Sequence, residues 1–248
     1  MKQLLLILAF LTTFGFTDAM AQQSSFYLGA RGGANISKYK FTEDLKELYP
    51  TSNGVFGMNG GFDMGLQLNK WTISTGVQYI QKGGQYQTDN FDDDGSIGYF
   101  TAEEKLHFIS VPVHLGYREY MASNIGWMIS AGPSFNFGLD GNLDETTEFF
   151  GTDETEFQNY KIGFGEGVNE DYKGVQVGFQ LSPGLFVDLN SRSKLTFNVT
   201  WDFGTGDIFN PRYKDANDFF QLYDGNQISR STMFTVGYEY HFNFADKY

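Results

Sequence analysis

Apolar residues occupy every second position of the stretch TVGYEYHFNF, residues 235–244, although the mean hydropathy of the chain is only -0.34. Successive side chains of a β-strand point to opposite faces, so this period places all the apolar residues of the stretch on one face. Seven earlier stretches have the same period, and none of the eight carries a charged residue on its apolar face. The apolar faces of the seven begin at Phe26, Phe56, Trp71, Ile109, Ile125, Val175 and Leu195.

The opposite face of the same stretches is polar and rich in glycine. A soluble sandwich would turn this face to water and would not need glycine there, whereas a small closed barrel turns it into a narrow lumen. Each stretch is about as long as a tilted membrane-spanning strand, roughly 9–11 residues. We therefore predict an all-β fold, an eight-stranded antiparallel up-and-down transmembrane barrel. The charged residues and histidines of its lumenal face are Arg31, Asp63, His114, Asp188, Asp202, Glu239 and His241.

The connections between the stretches alternate strictly between short and long. Outer-membrane barrels have this pattern, with tight periplasmic turns and long extracellular loops. Because eight is even, we expect both termini on the periplasmic side, and a secreted β-sandwich remains the alternative. The short connections fall at 69–70, 119–124 and 190–193, and the long ones span 37–54, 83–105, 139–173 and 204–229.

The chain begins with the pattern of an export signal. A basic residue precedes an apolar run from Leu4 to Phe16, and an Ala-Met-Ala site ends at Ala21. The run is shorter than the roughly 20 residues that a spanning helix needs. We expect a cleaved signal peptide at 1–21 and a barrel domain at 22–248. The chain contains no cysteine, which excludes disulfides and cysteine-ligated metals.

The charge of the chain is strongly acidic, with a formal net charge of -13. Nucleic-acid phosphates require a basic surface, so we expect no nucleic-acid partner. Most of the excess acid falls in the long connections, above all in 139–173, and therefore on the predicted extracellular side. Such loops form either a hydrated rim or a surface that attracts divalent cations or basic partners.

Two neighbouring stretches resemble a known family. HFISVPVHLGYR (107–118) and WMISAGPSFNFGL (127–139) are similar to the PorT-like outer-membrane β-barrel proteins of Bacteroidetes, often called porin family proteins. The resemblance implies a place in the outer membrane of a Gram-negative cell envelope and a part in protein secretion or surface assembly. The ending is similar to the signal that the barrel-assembly machinery reads during insertion, with its key positions at Thr235, Gly237, Tyr240 and Phe242.

The sequence contains little that indicates catalysis or metal binding. His107 has a height suited to lipid chemistry, but the next residue on its face is Ile109 rather than a nucleophile, so we predict no enzyme and no cofactor. NFDDDG (90–95) matches part of a calcium loop through Asp92 and Asp94 but lacks its first and last ligands. These two aspartates are a weak candidate for a metal site.

The lumenal face predicts a buried charge cluster. Counted from the strand ends, Arg31 should lie at one height with Asp63 and Glu239 on its two neighbouring strands, because barrel closure makes the first and last strands neighbours. Such pairing offsets much of the cost of burying charge. Prolines remove a ladder hydrogen bond, so we also expect bulges at three strand prolines. These are Pro112, Pro133 and Pro183.

Three functions are compatible with this architecture. The first is a non-enzymatic outer-membrane barrel that acts through its acidic loops in adhesion, partner binding or envelope stability. The second is a component of a secretion or surface-assembly machine, with extracellular or secretion-system proteins as partners. The third is a narrow solute channel, although the interior of eight strands is just wide enough to be filled by side chains.

Overall fold

The computed structural model of the protein describes residues 24–49, 51–93, 96–149, 155–167, 170–216 and 225–243. The predicted signal peptide lies outside these residues. None of the described helices is long and apolar enough to cross a membrane. The elements, in chain order, are β1 (Ser24–Phe41), α1 (Glu43–Leu48), β2 (Thr51–Asn53), β3 (Val55–Leu68), β4 (Trp71–Asp93), β5 (Ser96–Tyr120), β6 (Ile125–Phe149), β7 (Thr155–Ile162), β8 (Val175–Asp188), β9 (Ser193–Gly204), α2 (Pro211–Ala216) and β10 (Gln227–Asn243).

Eight of these strands form a closed antiparallel ring in the order β1-β3-β4-β5-β6-β8-β9-β10. The ring closes between β1 and β10, which pair from Ser25↔Asn243 to Phe41↔Gln227. The short strands β2 and β7 lie outside the ring, where they pair with β4 and β6. The predicted eight-stranded barrel is therefore confirmed.

A belt of exposed apolar side chains surrounds the ring, while its interior is polar. Phe62, for example, is 72% exposed, whereas inward-pointing Ser110 is fully buried. At the end of the barrel with the short connections, called here the turn end, the rings of Trp71 and Tyr117 pack edge to face, with 5.3 Å between their centroids. This is the inverse of a soluble barrel, in which apolar side chains face inward.

Glycine makes room for large side chains inside the ring. A Cβ atom at Gly65 would lie 2.7 Å from the ring of Tyr27, and one at Gly126 would lie 2.3 Å from the ring of Phe186. Both distances are shorter than real Cβ contacts allow. Gly65 and Gly126 therefore leave space for aromatic side chains that fill the lumen near the turn end.

The opposite end of the barrel, called here the loop end, differs from the expectation of irregular loops. Strands β4 and β5 continue to pair as far as Asp93↔Ser96, and β7 pairs with the end of β6. Much of 83–105 and part of 139–173 is therefore strand. The polarity of the alternation reverses there, because the outward face is polar and the inward face is apolar. The buried loop-end core consists of Tyr39, Phe41, Leu45, Tyr86, Ala102, Leu106, Phe108, Ile162, Tyr172 and Ile208.

The three strand prolines do not produce the expected bulges. Near Pro112, the β4–β5 ladder omits two pairs between Thr75↔Val113 and Gln78↔Ser110, and the register is unchanged. Pro133 and Pro183 both remain in the β6–β8 ladder. The prediction was wrong because the loss of a donor interrupts hydrogen bonding without requiring an extra residue. The register shift of the β5–β6 pair lies instead just beyond Phe108.

Ring closure predicts that the folded barrel resists unfolding in cold detergent. A closed ring has no free strand edge at which separation can begin. We expect an unboiled sample to migrate faster than a boiled one on a denaturing gel, with a β-rich circular dichroism spectrum before boiling. Equal mobility of the two samples would contradict a closed ring.

Candidate functional site

An ion pair joins opposite walls of the lumen near the turn end. Arg118 of β5 donates two hydrogen bonds to Glu239 of β10, each 2.7 Å long, and both residues are buried. These strands lie four places apart in a ring of eight, so they face each other across the lumen. His241 lies 3.1 Å from the same carboxylate, and the Arg118 guanidinium lies over the ring of Tyr27. Two parallel N–H···O bonds to one carboxylate fix both distance and orientation.

A second ion pair crosses the lumen closer to the loop end. Lys82 of β4 lies 2.9 Å from Asp202 of β9, and these two strands are also four places apart. Gln180 donates a further hydrogen bond to the same aspartate. The Lys82 ammonium lies 5.7 Å from the ring centre of Phe108, at the lower edge of the loop-end core. We call the Arg118–Glu239 and Lys82–Asp202 pairs the lumenal braces.

The structure keeps the Arg31–Asp63 contact of the predicted three-residue cluster and gives Glu239 a different partner. Arg31 lies 3.3 Å from Asp63, but Glu239 pairs with Arg118. The reason is register: Asp63 and Glu239 both lie opposite Gly29, whereas Arg31 lies opposite Gly61 and Gly237. The two carboxylates therefore share a height, and Arg31 lies two residues nearer the loop end.

Sequence reasoning missed Arg118 and Lys82. Each lies on the lumenal face of its stretch, because Arg118 follows the lumenal residue Gly116 by two positions and Lys82 follows the lumenal residue Gln78 by four. Extending the alternation by one or two steps would have found both cations. The alternation also placed Asp202 and Glu239 in the lumen, but it could not show which cation each carboxylate meets, because it says nothing about contacts across a lumen.

The enclosed space near the turn end is small. A cavity of about 40 Å³ lies among the side chains of Arg31, Asp63, Arg118 and Glu239. It has room for only a few water molecules. The lumen at this height is therefore filled by protein.

A much larger cleft opens at the loop end. Its volume is about 460 Å³, within the range of small-molecule sites. One side carries Phe41, Tyr49 and Tyr86, whose ring centres lie 4.7–5.5 Å apart. The other carries Tyr172 and Phe209, which stack at 5.3 Å. We call this space the aromatic cleft.

Glu104 joins the two sides of the aromatic cleft. Its carboxylate accepts hydrogen bonds from the hydroxyl of Tyr86 at 3.0 Å and from that of Tyr172 at 2.7 Å. Gln227, from the opposite strand β10, donates a third at 3.1 Å. Burial raises the pKa of Glu104, although these donors pull the pKa down. Burial and the charge of Glu104 raise the pKa of both tyrosines, which therefore remain neutral donors.

The aromatic cleft carries an excess of negative charge. Glu145 and Asp171 line it together with Glu104, and Lys161 is the cation among its described lining residues. Partial burial raises the pKa of Glu145, and the nearby charge of Glu104 raises this pKa further. The charge of Glu104 therefore opposes the ionisation of Glu145.

The other residues predicted from sequence lie away from the aromatic cleft. Thr235, Gly237, Tyr240 and Phe242 lie in β10, whose pairing with β1 closes the ring. Phe242 belongs to the exposed belt, and its ring centre lies 6.1 Å from that of Phe26. Their role as an assembly signal stays a prediction.

The weak metal candidate cannot be placed from side-chain geometry. Asp92 lies in β4 where the backbone alone is described, and Asp94 lies outside the described residues. Within the described part of the chain, no three acidic or histidine side chains come together to hold a metal ion. His107, at the outer edge of the belt, contacts Tyr79 and lies 3.9 Å from Asp140.

The chain matches the model of one protein family and is similar to several solved structures. A family model described as an outer membrane protein beta-barrel domain matches residues 20–210. No curated protein sequence matches the chain. Solved structures similar to it include Neisserial surface protein A, with a TM-score of 0.44 and 14% identity over 89% of this chain and 100% of that one. A second is the attachment invasion locus protein Ail of Yersinia pestis, with a TM-score of 0.34 and 8% identity over 87% of this chain and 99% of that one. A third is the outer membrane protease OmpT from Escherichia coli, with a TM-score of 0.35 and 10% identity over 88% of this chain and 97% of that one.

The lumenal braces predict that the loss of unfolding free energy depends on which cationic side chain is removed. Arg118→Ala should lower the free energy of unfolding by about 3–5 kcal/mol, because it leaves the buried carboxylate of Glu239 without its guanidinium. Arg31→Ala should have a smaller effect, since the contact of Arg31 with Asp63, at 3.3 Å, is longer than the two bonds between Arg118 and Glu239. Lys70→Ala is the matched control, because Lys70 contacts Glu119 at 2.6 Å on the exposed surface. Urea unfolding in detergent measures all three, and equal effects would show that the Arg118–Glu239 pair does not brace the barrel.

The buried carboxyl of Glu104 predicts a pH dependence at the loop end. A carboxyl whose pKa is raised by folding binds its proton more tightly in the folded state. Local stability should therefore be greatest below the ordinary pKa of a glutamate and should fall as the pH rises through the raised pKa. Hydrogen exchange of 100–108, corrected for intrinsic rates, measures this.

Two variants test whether the Glu104 carboxyl causes this pH dependence. Glu104→Gln is neutral at every pH and should flatten the profile. Glu103→Gln alters the neighbouring outward residue, which pairs with Lys105, and should leave the profile unchanged. If both variants retained the wild-type profile, another group would be responsible.

Proposed function

Since this chain belongs to the outer membrane protein β-barrel domain family, we propose that it is a non-enzymatic barrel that binds a ligand or partner at its loop end. The family match and the eight-stranded ring place the protein in the outer membrane of a Gram-negative bacterium. Adhesion, partner binding and envelope stability are all activities of an exposed end of this kind.

The observation that carries the proposal is the contrast between the two ends of the barrel. The turn end has short connections and a lumen filled by the Arg118–Glu239 brace and its neighbours. The loop end has strands that rise beyond the apolar belt, a core of its own and an open cleft. Binding sites are concave and largely preformed, which describes the loop end.

The orientation of the barrel is part of the proposal. The short connections, the beginning of β1 and the end of β10 lie at one end of the barrel. Barrels whose turns and termini are periplasmic have this arrangement. Trp71, Tyr117 and Phe242 provide a ring of aromatic side chains at that end, a feature of membrane interfaces. The loop end and its acidic connections then face the outside of the cell.

A second candidate function is a role in a secretion or surface-assembly machine, as the resemblance to PorT-like proteins of Bacteroidetes implies. One observation favours it. Strand β7 is paired with β6 on one side, its residues are almost all exposed, and Phe157 is 74% exposed. An accessible strand of this kind can pair with an extended segment of another protein. Membrane proteins that remain bound in mild detergent at fixed stoichiometry would favour this candidate.

The proposed function predicts that the loop end is needed for surface binding. A deletion strain should lose surface adhesion, and the wild-type gene should restore it. A variant in which a two-residue turn replaces 146–157 should insert normally without restoring adhesion, because Glu145 and Gln158 face each other and can close the shortened hairpin. Adhesion is measured together with the secreted-protein profile.

A control variant and two contrary outcomes complete this test. Lys70→Ala changes the turn end and should restore adhesion fully. Loss of secreted proteins with unchanged adhesion would support the secretion role instead. A steady single-channel conductance of the wild-type protein in a planar bilayer would contradict the filled lumen and support the narrow solute channel.

A further inference from the structure

We propose that the aromatic cleft binds an organic ammonium ion, that is, a protonated amine on an apolar or aromatic body. This inference rests on the proposed binding role of the loop end and specifies the chemistry of the ligand. Three properties of the cleft lead to it: an uncompensated buried carboxylate, an aromatic lining, and a size suited to a small molecule.

The first property is the charge environment of Glu104. Three acidic residues are buried in the described part of the chain, namely Glu104, Asp202 and Glu239. Asp202 has Lys82 within 2.9 Å and Glu239 has Arg118 within 2.7 Å. The described structure gives Glu104 hydrogen bonds from neutral donors only. A buried carboxylate is normally paired with a cation, and this one borders an open cleft that can admit one.

The second property is the lining. Phe41, Tyr49 and Tyr86 on one side and Tyr172 and Phe209 on the other surround the space above Glu104. Aromatic rings attract cations through the negative potential of their faces and also bury apolar groups. An ammonium with an apolar body uses both properties, whereas an anion would meet the repulsion of Glu104, Glu145 and Asp171.

A metal ion fits the site less well than an organic cation. Both oxygens of Glu104 already accept hydrogen bonds, and no group of three acidic or histidine ligands exists among the described residues. Divalent cations such as Ca²⁺ require six to eight oxygen ligands. An ammonium needs only an acceptor and a surface that replaces part of its hydration, which the carboxylate and the aromatic rings provide.

The third property is size. The volume of about 460 Å³ exceeds that of the lumenal cavity of about 40 Å³ more than tenfold, and it suits a molecule rather than a few waters. Tyr160, half-exposed on β7, and Tyr213 in α2 also line the cleft, so its lining comes from several parts of the loop end. The ligand would therefore join elements that are distant in the sequence.

Calorimetry of the full-length mature barrel in detergent tests the proposal with three probes of one shape. Phenethylammonium is cationic, 2-phenylethanol is neutral and 3-phenylpropanoate is anionic. We expect saturable binding of phenethylammonium that is at least about tenfold tighter than binding of the alcohol, with no binding of the carboxylate. Empty detergent micelles serve as the blank for partitioning. Equal affinity for the cation and the alcohol would overturn the proposal without any variant.

Two variants locate the site. Glu104→Gln keeps the size of the side chain and removes its charge, so the affinity for phenethylammonium should fall at least about tenfold. Glu103→Gln lies one residue away on the outward face and should bind like the wild type. Equal affinities of the two variants would place any binding outside the aromatic cleft and overturn the proposal.

The failure of this inference is distinguishable from failure of the proposed function. A barrel that supports surface adhesion but binds phenethylammonium no better than 2-phenylethanol would overturn the ligand chemistry alone. A barrel that binds phenethylammonium through Glu104 while the deletion strain adheres normally would support the cleft and contradict the adhesion role.

Discussion

The structure depends on ion pairs that cross the lumen between diametrically opposed strands. Arg118 and Glu239, and above them Lys82 and Asp202, join β5 to β10 and β4 to β9. Isolated charges at these positions would be costly to bury, whereas hydrogen-bonded pairs offset much of that cost. Within the ring, backbone ladders connect each strand only to its two neighbours. The braces add contacts between opposite walls, and they also fill the space through which a solute would have to pass.

The barrel has two interiors of opposite polarity along one axis. Within the apolar belt the outside contacts lipid, so the inside must hold the polar side chains and their hydrogen-bond partners. Beyond the belt the outside contacts water, and apolar residues such as Leu106 and Tyr86 turn inward as in a soluble protein. Lys82 lies over the ring of Phe108 where the two interiors meet. The aromatic cleft forms on the apolar side of this boundary because aromatic residues are available there to line it.

Glu104 is the exception to the polarity of the loop-end core. It lies among tyrosines and apolar residues, and Gln227 links it to the opposite wall in the way that the braces link the strands below. The difference is that the braces contain their own cations, whereas the donors to Glu104 are neutral. A site that is structurally complete but electrostatically unbalanced is suited to a charged ligand, and for this reason the cleft rather than the lumen is the functional candidate.

The sequence by itself determined the number of membrane strands, the face that each residue occupies and the turn end of the barrel, because the period of two is a local property of the extended backbone. It placed Arg31, Asp63 and Glu239 correctly in the lumen. It failed where the environment changes, since the polar outward residues of 83–105 belong to strands that extend beyond the lipid.

Only the tertiary structure decided which charges meet. A shift of two residues between neighbouring strands leaves every side chain on its face and changes every partner, so alternation fixes the face and the register of the closed ring fixes the height. Glu239 therefore pairs with Arg118 from the opposite wall rather than with Arg31 beside it.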